Sequence, residues 1–404
     1  MLISRNLSIV VALALNLAPA FGATPPKPLK VFLLVGQSNM QGHAHVRTFE
    51  HIGMDPETVP LLREMQETDG KARVCENVWI SYLSSGGEKH GRLTAGFGAD
   101  ENKIGPELTF GIYMQKRLKE PILIIKTAWG GKSLHTDFRP PSAGPYQFNK
   151  QQLEAFQKQR KDIDAIRADR VKATGHYYRL MIEHVKKVLA DIKQVYPDYD
   201  PAAGHELAGF VWFQGWNDMV DGGVYPNRDK KGGYDQYSEV LAHFIRDVRK
   251  ELSATKLPFV IGVMGAGGPV DKYLPEQRRY AGIHQNFRDA MAAPAALPDF
   301  KGNVTTVLTE KYWDLELTGL RAREAKVKQQ VKKLQAEKKL SREELRTAQE
   351  KLQSEEFTAR ELDTLQKGVS NAEYHYLGCA KILAQIGKGF AEAVESGMKT
   401  PRER

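Results

Sequence analysis

Five short runs rich in apolar and β-branched residues punctuate the chain: Val31–Val35, Ile122–Ile125, Ala208–Phe213, Phe259–Met264 and Val304–Leu308. Runs of this length with little polar interruption read as strands buried on both faces, as in a parallel sheet covered by helices. Between them the period changes. From His176 to Val195, the residues Leu180, Ile182, Val185, Val188, Leu189 and Ile192 mark one helical face. Further helices are expected from Gly105-Pro106-Glu107 to about Leu118, around Tyr237–Lys250, over Pro275–Ala293 and over Leu377–Val394. This alternation predicts an α/β three-layer sandwich around a mostly parallel sheet of about five strands. Two stretches fall outside the rhythm. His43–Gly105, with turn signals at Gly86-Gly87 and Gly96-Phe97-Gly98, reads as a long, loop-rich wall. Asp137–Arg170, with Pro140-Pro141 and a charged helical run, reads as a peripheral excursion.

Leu320 to about Gln366 is sequence of another kind, rich in Lys, Glu, Arg, Gln, Ala and Leu. Leu320, Val327, Val331 and Leu334 form a narrow apolar stripe, and Ser341 with Glu344 reads as a capping box. A charged, coiled-coil-like helical hairpin is expected, with one helix ending near Lys339. It serves either as a solvated protrusion or as an arm that docks a partner.

The first residues, MLISRNLSIVVALALNLAPAFGA, combine Arg5, an apolar run over Leu7–Leu17 and small residues at Ala18, Ala20 and Ala23. That pattern predicts a signal peptide over residues 1–23, followed by one elaborated domain over 24–404 and an exported, periplasmic, cell-surface or extracellular location. No other apolar run is long enough to span a bilayer, so the processed protein is not expected to be integral to the membrane. Cys75 and Cys379 are the only cysteines, and in an exported chain they either pair or remain as two buried thiols. The formal charge of +9 favours anionic partners such as acidic polysaccharide. Metal-ligand Cys/His spacing, Walker-type glycine loops and nucleic-acid motifs are all missing, so no cofactor, metal or nucleic acid is expected.

The chemistry concentrates where the first run ends. Gly36 stops the strand, and Ser38 falls at the carboxyl edge of the sheet, where open α/β folds build their sites. Ser38 is therefore the candidate nucleophile. Two glycines after the second strand, Gly130 and Gly131, allow backbone N–H groups to approach a reacting oxygen at the same edge.

Four blocks in chain order carry a resemblance to a known family. Gly36-Gln37-Ser38-Asn39-Met40, Lys126-Thr127-Ala128-Trp129-Gly130-Gly131, Trp212-Phe213-Gln214-Gly215-Trp216-Asn217-Asp218 and Tyr374-His375-Tyr376-Leu377-Gly378 resemble the sialate O-acetylesterase-like, carbohydrate acetylesterase branch of the SGNH hydrolases. The resemblance implies an SGNH/flavodoxin-like fold and a serine esterase acting on acetylated glycan. It makes Ser38 the nucleophile and His375 the general base, and it places Gly131, Gln214 and Asn217 at the oxyanion. Gln37, Asn39, Trp129 and Trp216 then lie where substrate binds, and Trp313 offers a further ring for a sugar face.

The third triad member departs from the pattern. The aspartate common three residues before the histidine is Ala372 here, and the glutamate that some relatives place after the glycine of the third block is Trp216. Asp218 and Glu373 are the nearest carboxylates to take the role. A dyad completed by a backbone carbonyl is the other arrangement, and a glycan-binding protein that has lost catalysis is the alternative function.

Overall fold

A computed structural model describes residues 27–338 and 340–399. The expected signal segment over 1–23 lies outside the described residues. The sheet has seven strands: β1 (Leu29–Gly36), β2 (Cys75–Ser84), β3 (Gly87–Leu93), β4 (Ile122–Ala128), β5 (His205–Phe213), β6 (Phe259–Val263) and β7 (Val304–Leu308). They lie in the order β3-β2-β4-β1-β5-β6-β7, all parallel except the edge strand β3.

β1, β4, β5, β6 and β7 are the five strands expected from the sequence. β2 and β3 are not, because the stretch read as a loop-rich wall contains a hairpin turning at Gly86-Gly87. In β2 the polar Ser81 interrupts the apolar residues Val78, Ile80 and Tyr82, although it is buried against His184, with Oγ 3.1 Å from Nε2. β3 exposes Glu88, Lys89 and His90, the charged dress of a sheet edge.

Helices cover both faces with the alternation that a pleated strand demands. On β5, Phe210 and Trp212 meet Phe244 of the helix Asp235–Glu251, while Gly209 and Phe213 face the helix Ala380–Lys399 through Val394 and Phe390. Phe32 of β1 packs edge-on against Phe110 of the helix Glu107–Leu118. The helix Ala380–Lys399 lies against that same helix, where Thr109 Oγ1 donates to Ala384 O at 2.8 Å.

In the charged insertion, Leu315–Glu337 and Arg342–Glu356 meet at Ser341, which forms the expected capping box with Glu344. A third helix follows, Ala359–Gly368, also opened by a capping box at Thr358 and Glu361. Leu320, Val327 and Phe357 form a small core of their own there. No helix among the described residues is long and apolar enough to cross a membrane. Cys75 and Cys379 are both free and buried, and burial pushes each thiol up to about 12.

Leaving β1, the chain builds β2, β3 and β4 on one side and then crosses to β5 on the other. The strand order therefore reverses at β1, the point at which doubly wound sheets open a crevice beyond their carboxyl ends.

Candidate active site

Ser38 begins the short helix Ser38–Gln41 directly after β1, and only 7% of it is exposed. The glycines around it are required by crowding. A Cβ at Gly36 would collide with the Phe213 carbonyl of β5, and one at Gly42, where φ is +91°, would collide with Gly105. The far end of this helix is pinned from below. Lys126 of β4 is wholly buried and its Nζ donates to Gln41 O at 2.9 Å, Phe97 O at 2.7 Å and Glu107 Oε2 at 2.6 Å.

The other three blocks converge on residues 36–43. Trp129 N–H donates to Gly36 O at 3.3 Å, and Gly130 lies beside the Gln41 side chain. Asn217 N–H donates to Gln37 Oε1 at 3.3 Å. The His375 ring stacks on His43 with centroids 3.9 Å apart and planes 2° from parallel. These residues, distant in sequence, thus gather around the serine.

His375 sits in a contorted turn, Glu373–Gly378, in which Tyr376, Leu377 and Gly378 all have positive φ, at +53°, +60° and +57°. Two consecutive non-glycine residues in this region cost about 1–2 kcal/mol each, so the surroundings must impose the shape. Tyr376 does so. It is fully buried, and its hydroxyl accepts from Gly265 N–H at 2.8 Å and bonds Thr309 Oγ1 at 2.7 Å.

Among the described residues the ring of His375 has one hydrogen-bonded side-chain partner, Asn371, whose Oδ1 lies 3.0 Å from Nδ1. That same oxygen accepts from Ala372 N–H at 2.8 Å, which fixes the amide orientation, because a backbone N–H bonds only to an acceptor. Nδ1 therefore carries the proton. Nε2 is left with its lone pair, as a base requires. Burial first, and then the Lys103 ammonium, pull the His375 imidazole down to about 4.

Neither expected carboxylate bonds this ring. Asp218 is completely buried and accepts from Leu134 N–H at 2.7 Å, His135 N–H at 3.0 Å, Gln214 Nε2 at 2.6 Å and the Tyr225 hydroxyl at 3.1 Å. Burial raises its carboxyl while His135 and the bonds from Leu134, Gln214 and the His135 N–H oppose the rise, and the carboxylate ties the loop after β4 to the turn after β5. Glu373 instead lines a cleft beside the histidine. Asn371 escaped the sequence reading because only carboxylates and a backbone carbonyl were weighed as partners of the histidine, not a side-chain amide. The turn starting at Ala372 brings the residue four before it back onto the ring. The only local signal was the Ser370-Asn371 pair, a turn-forming dipeptide ahead of the block.

Gln214 is likewise committed. Its Nε2 donates to Asp218 and to Lys132 O at 3.1 Å, and its Oε1 accepts from the Tyr237 hydroxyl at 3.1 Å. The Asn217 side chain, half-buried, makes no hydrogen bond among the described residues. Gly131 is exposed with φ at +74°, and nothing crowds it. Gln37 and Asn39 are buried beside Ser38, where Gln37 Nε2 and Asn39 Oδ1 have no partner among the described residues.

The tryptophans divide. Trp129 is buried against Phe138 and Tyr177, and Trp313 packs on Gly268 and Tyr376, so neither presents a face for sugar stacking. Trp216 is half-buried beside the exposed Tyr374, with ring centroids 5.6 Å apart. Together with Arg228, Tyr280, His284 and Glu373 it lines a cleft of about 470 Å³.

A comparison of three variants follows from this geometry. Asn371→Ala is expected to lower kcat for acetate release by about tenfold to a hundredfold, because it frees the ring and its tautomer. Asp218→Asn is expected to lower the melting temperature, and Glu373→Gln to leave kcat within about threefold. Stopped-time acetate assays with parallel thermal melts read all three.

Among curated proteins none matches the chain. The chain resembles the crystal structure of an Arabidopsis thaliana protein at 17% identity and a TM-score of 0.38, covering 70% of this chain and 86% of that one. It also resembles a carbohydrate acetylesterase of Xanthomonas citri at 14% identity and a TM-score of 0.39, covering 70% of this chain and 51% of that one. The family model described as carbohydrate esterase, sialic acid-specific acetylesterase matches residues 28–296, which hold three of the four blocks gathered around Ser38. The chain belongs to this family of carbohydrate esterases.

Proposed function

We propose that the chain is an exported serine esterase that removes O-acetyl groups from carbohydrate, with Ser38 as nucleophile, His375 as general base and Asn371 as the residue that orients the base. The observation that carries this reading is the Asn371 bond, which leaves Nε2 of His375 unprotonated in the turn packed over the serine block. It also weighs against a merely glycan-binding role, since an amide here replaces the orienting function of the missing carboxylate.

In the reaction, Ser38 Oγ attacks the acetyl carbonyl carbon as Nε2 of His375 takes the hydroxyl proton. The oxyanion forms opposite the Gly131 N–H and the Asn217 side-chain amide, neither of which has another hydrogen-bond partner among the described residues. Collapse breaks the ester C–O bond, and His375 passes its proton to the departing sugar oxygen. Water, deprotonated by the same nitrogen, then cleaves acetyl-Ser38 to acetate and restores the hydroxyl. An amide partner orients the imidazole without balancing the positive charge it gains, so turnover should be slower than with a carboxylate.

The cleft beside Trp216 and Tyr374 far exceeds an acetyl group and fits the sugar from which acetate is removed, with aromatic faces for its apolar side. Acetate release from acetylated xylan, pectin and sialic acid tests the reading. Trp216→Ala with Tyr374→Ala is expected to cut kcat/KM for an active glycan by about tenfold or more, but for 4-nitrophenyl acetate by less than about threefold. Equal losses on both would remove the cleft from substrate binding. Absence of turnover on every ester would overturn the enzymatic reading.

A further inference from the structure

We propose that His43 is a positioning residue for His375, a stacked ring that fixes the plane of the base and covers one of its faces from water. This rests on the esterase reading for its consequence in turnover, but not for its effect on the ring itself.

Three observations combine. First, the rings overlap face to face at 3.9 Å and 2°, while Tyr374 meets His375 edge-on at 4.4 Å, so two sides of the imidazole are closed. Second, the partner at Nδ1 is the neutral amide of Asn371, with no negative charge to stabilise an imidazolium. Third, the segment is tied to the strand Ala44–His45, next to His43, independently of the stack. Ser370 Oγ accepts from His45 N–H at 3.2 Å and donates to Gly378 O at 2.6 Å.

The charged and titratable groups nearby act in the same sense or are compensated. Lys103, on the two-residue strand paired with Ala44–His45, disfavours a cation on either ring, and its Nζ lies 2.6 Å from Asp100. Asp100 favours protonation of His43, less than Lys103 disfavours it, and Lys126 adds a smaller disfavouring effect. Glu373 and Tyr374 flank His375 in its own turn. Burial pulls His43 lower still, to about 3, with His375 the next cause, so the first proton taken up by the pair falls on His375. Above that range His43 is uncharged. It acts as a cover rather than as a charge.

This separates cover from charge by substitution. His43→Phe keeps the cover and is expected to hold the acid limb of kcat/KM near the parent's, within about half a unit. His43→Ala uncovers the ring, which should raise the limb toward the ordinary histidine range near 6.5 and, at pH 5, lower kcat/KM about tenfold relative to the variant's own plateau. A role in packing alone would lower the melting temperature without moving the limb.

The deciding measurement is a titration of the full chain labelled with ¹³C-histidine, followed by NMR. His375 is assigned by its loss in His375→Gln, and the measurement does not depend on turnover. The expected result is a parental midpoint near 4, retained with Phe at position 43 and raised by a unit or more with Ala. A parental midpoint near 6.5 would overturn the proposal without any variant having to fold. So would Ala and Phe variants that both titrate with the parent. Loss of all esterase activity with the expected titrations would instead refute the catalytic reading and leave the role of His43 standing.

Discussion

Ser38→Ala is expected to reduce kcat for acetate release by about 10⁴-fold or more while leaving the melting temperature within a few degrees. No hydrogen bond of the Ser38 hydroxyl supports the fold among the described residues, so its removal costs little structurally. In the proposed mechanism it removes the atom that becomes acylated, so that the N–H of Gly131 and the side-chain amide of Asn217 would assist only direct attack by water. His375→Ala should fall in the same range, and the double variant should be little worse than either single one, because nucleophile and base act as one unit. Acetate release under saturating substrate, with circular dichroism on the same samples, reads both quantities.

Lys126→Met is expected to be the most damaging single change to stability, at about 3–5 kcal/mol, because it leaves Glu107 as a buried, uncompensated charge. Both side chains are inaccessible to solvent. Burial pulls the Lys126 ammonium down from its ordinary value, and the facing carboxylate of Glu107 opposes this. Glu107 Oε1 also accepts from Gly105 N–H at 2.8 Å, so the pair links β4, the turn before the helix Glu107–Leu118 and the carboxyl end of the serine helix. Lys126→Met combined with Glu107→Leu should recover a large part of the loss, since an apolar pair no longer strands a charge. Activity should not recover with it, because Gln41 O loses its Nζ donor either way. Urea unfolding gives the stabilities. A single variant costing under about 1 kcal/mol would show that water reaches the pair in solution.

What the sequence made legible follows from the range of the forces involved. β1, β4, β5 and β6 carry nearly continuous apolar runs, and burial on both faces leaves no other use for Phe32-Leu33-Leu34 or Val260-Ile261, whereas the edge strand β7 has half-buried Thr305 and Thr306 and an exposed Leu308. The helix Glu107–Leu118 announced itself through the proline at its start. β2 and β3 hid because one is interrupted by Ser81, whose burial is tolerated only through His184, and the other is an exposed edge. At the site, Ser38 and His375 were singled out by local motifs, each lying next to a turn that its own glycines define. Asn371, Gln214 and Asp218 were not. Their duties are set by partners distant in the chain or by the backbone of a strained turn: Tyr225 and the Leu134–His135 amides for Asp218, Lys132 and Tyr237 for Gln214, and the Tyr376 anchor beneath Asn371 and His375. The stack of His43 on His375 has the same origin, since nothing local distinguishes His43 from the remaining histidines.

The central claim, that Ser38 is the residue acylated in turnover and His375 its base, is tested most directly by intact and peptide mass spectrometry after exposure to an activated phosphonate ester. The account predicts a single adduct, mapped to Ser38. Its formation should be abolished in Ser38→Ala, slowed by orders of magnitude in His375→Ala, and faster above pH 4 than below it, because Nε2 is free there. An enzyme that releases acetate yet forms no adduct, or forms one on another residue that Ser38→Ala leaves intact, would contradict it.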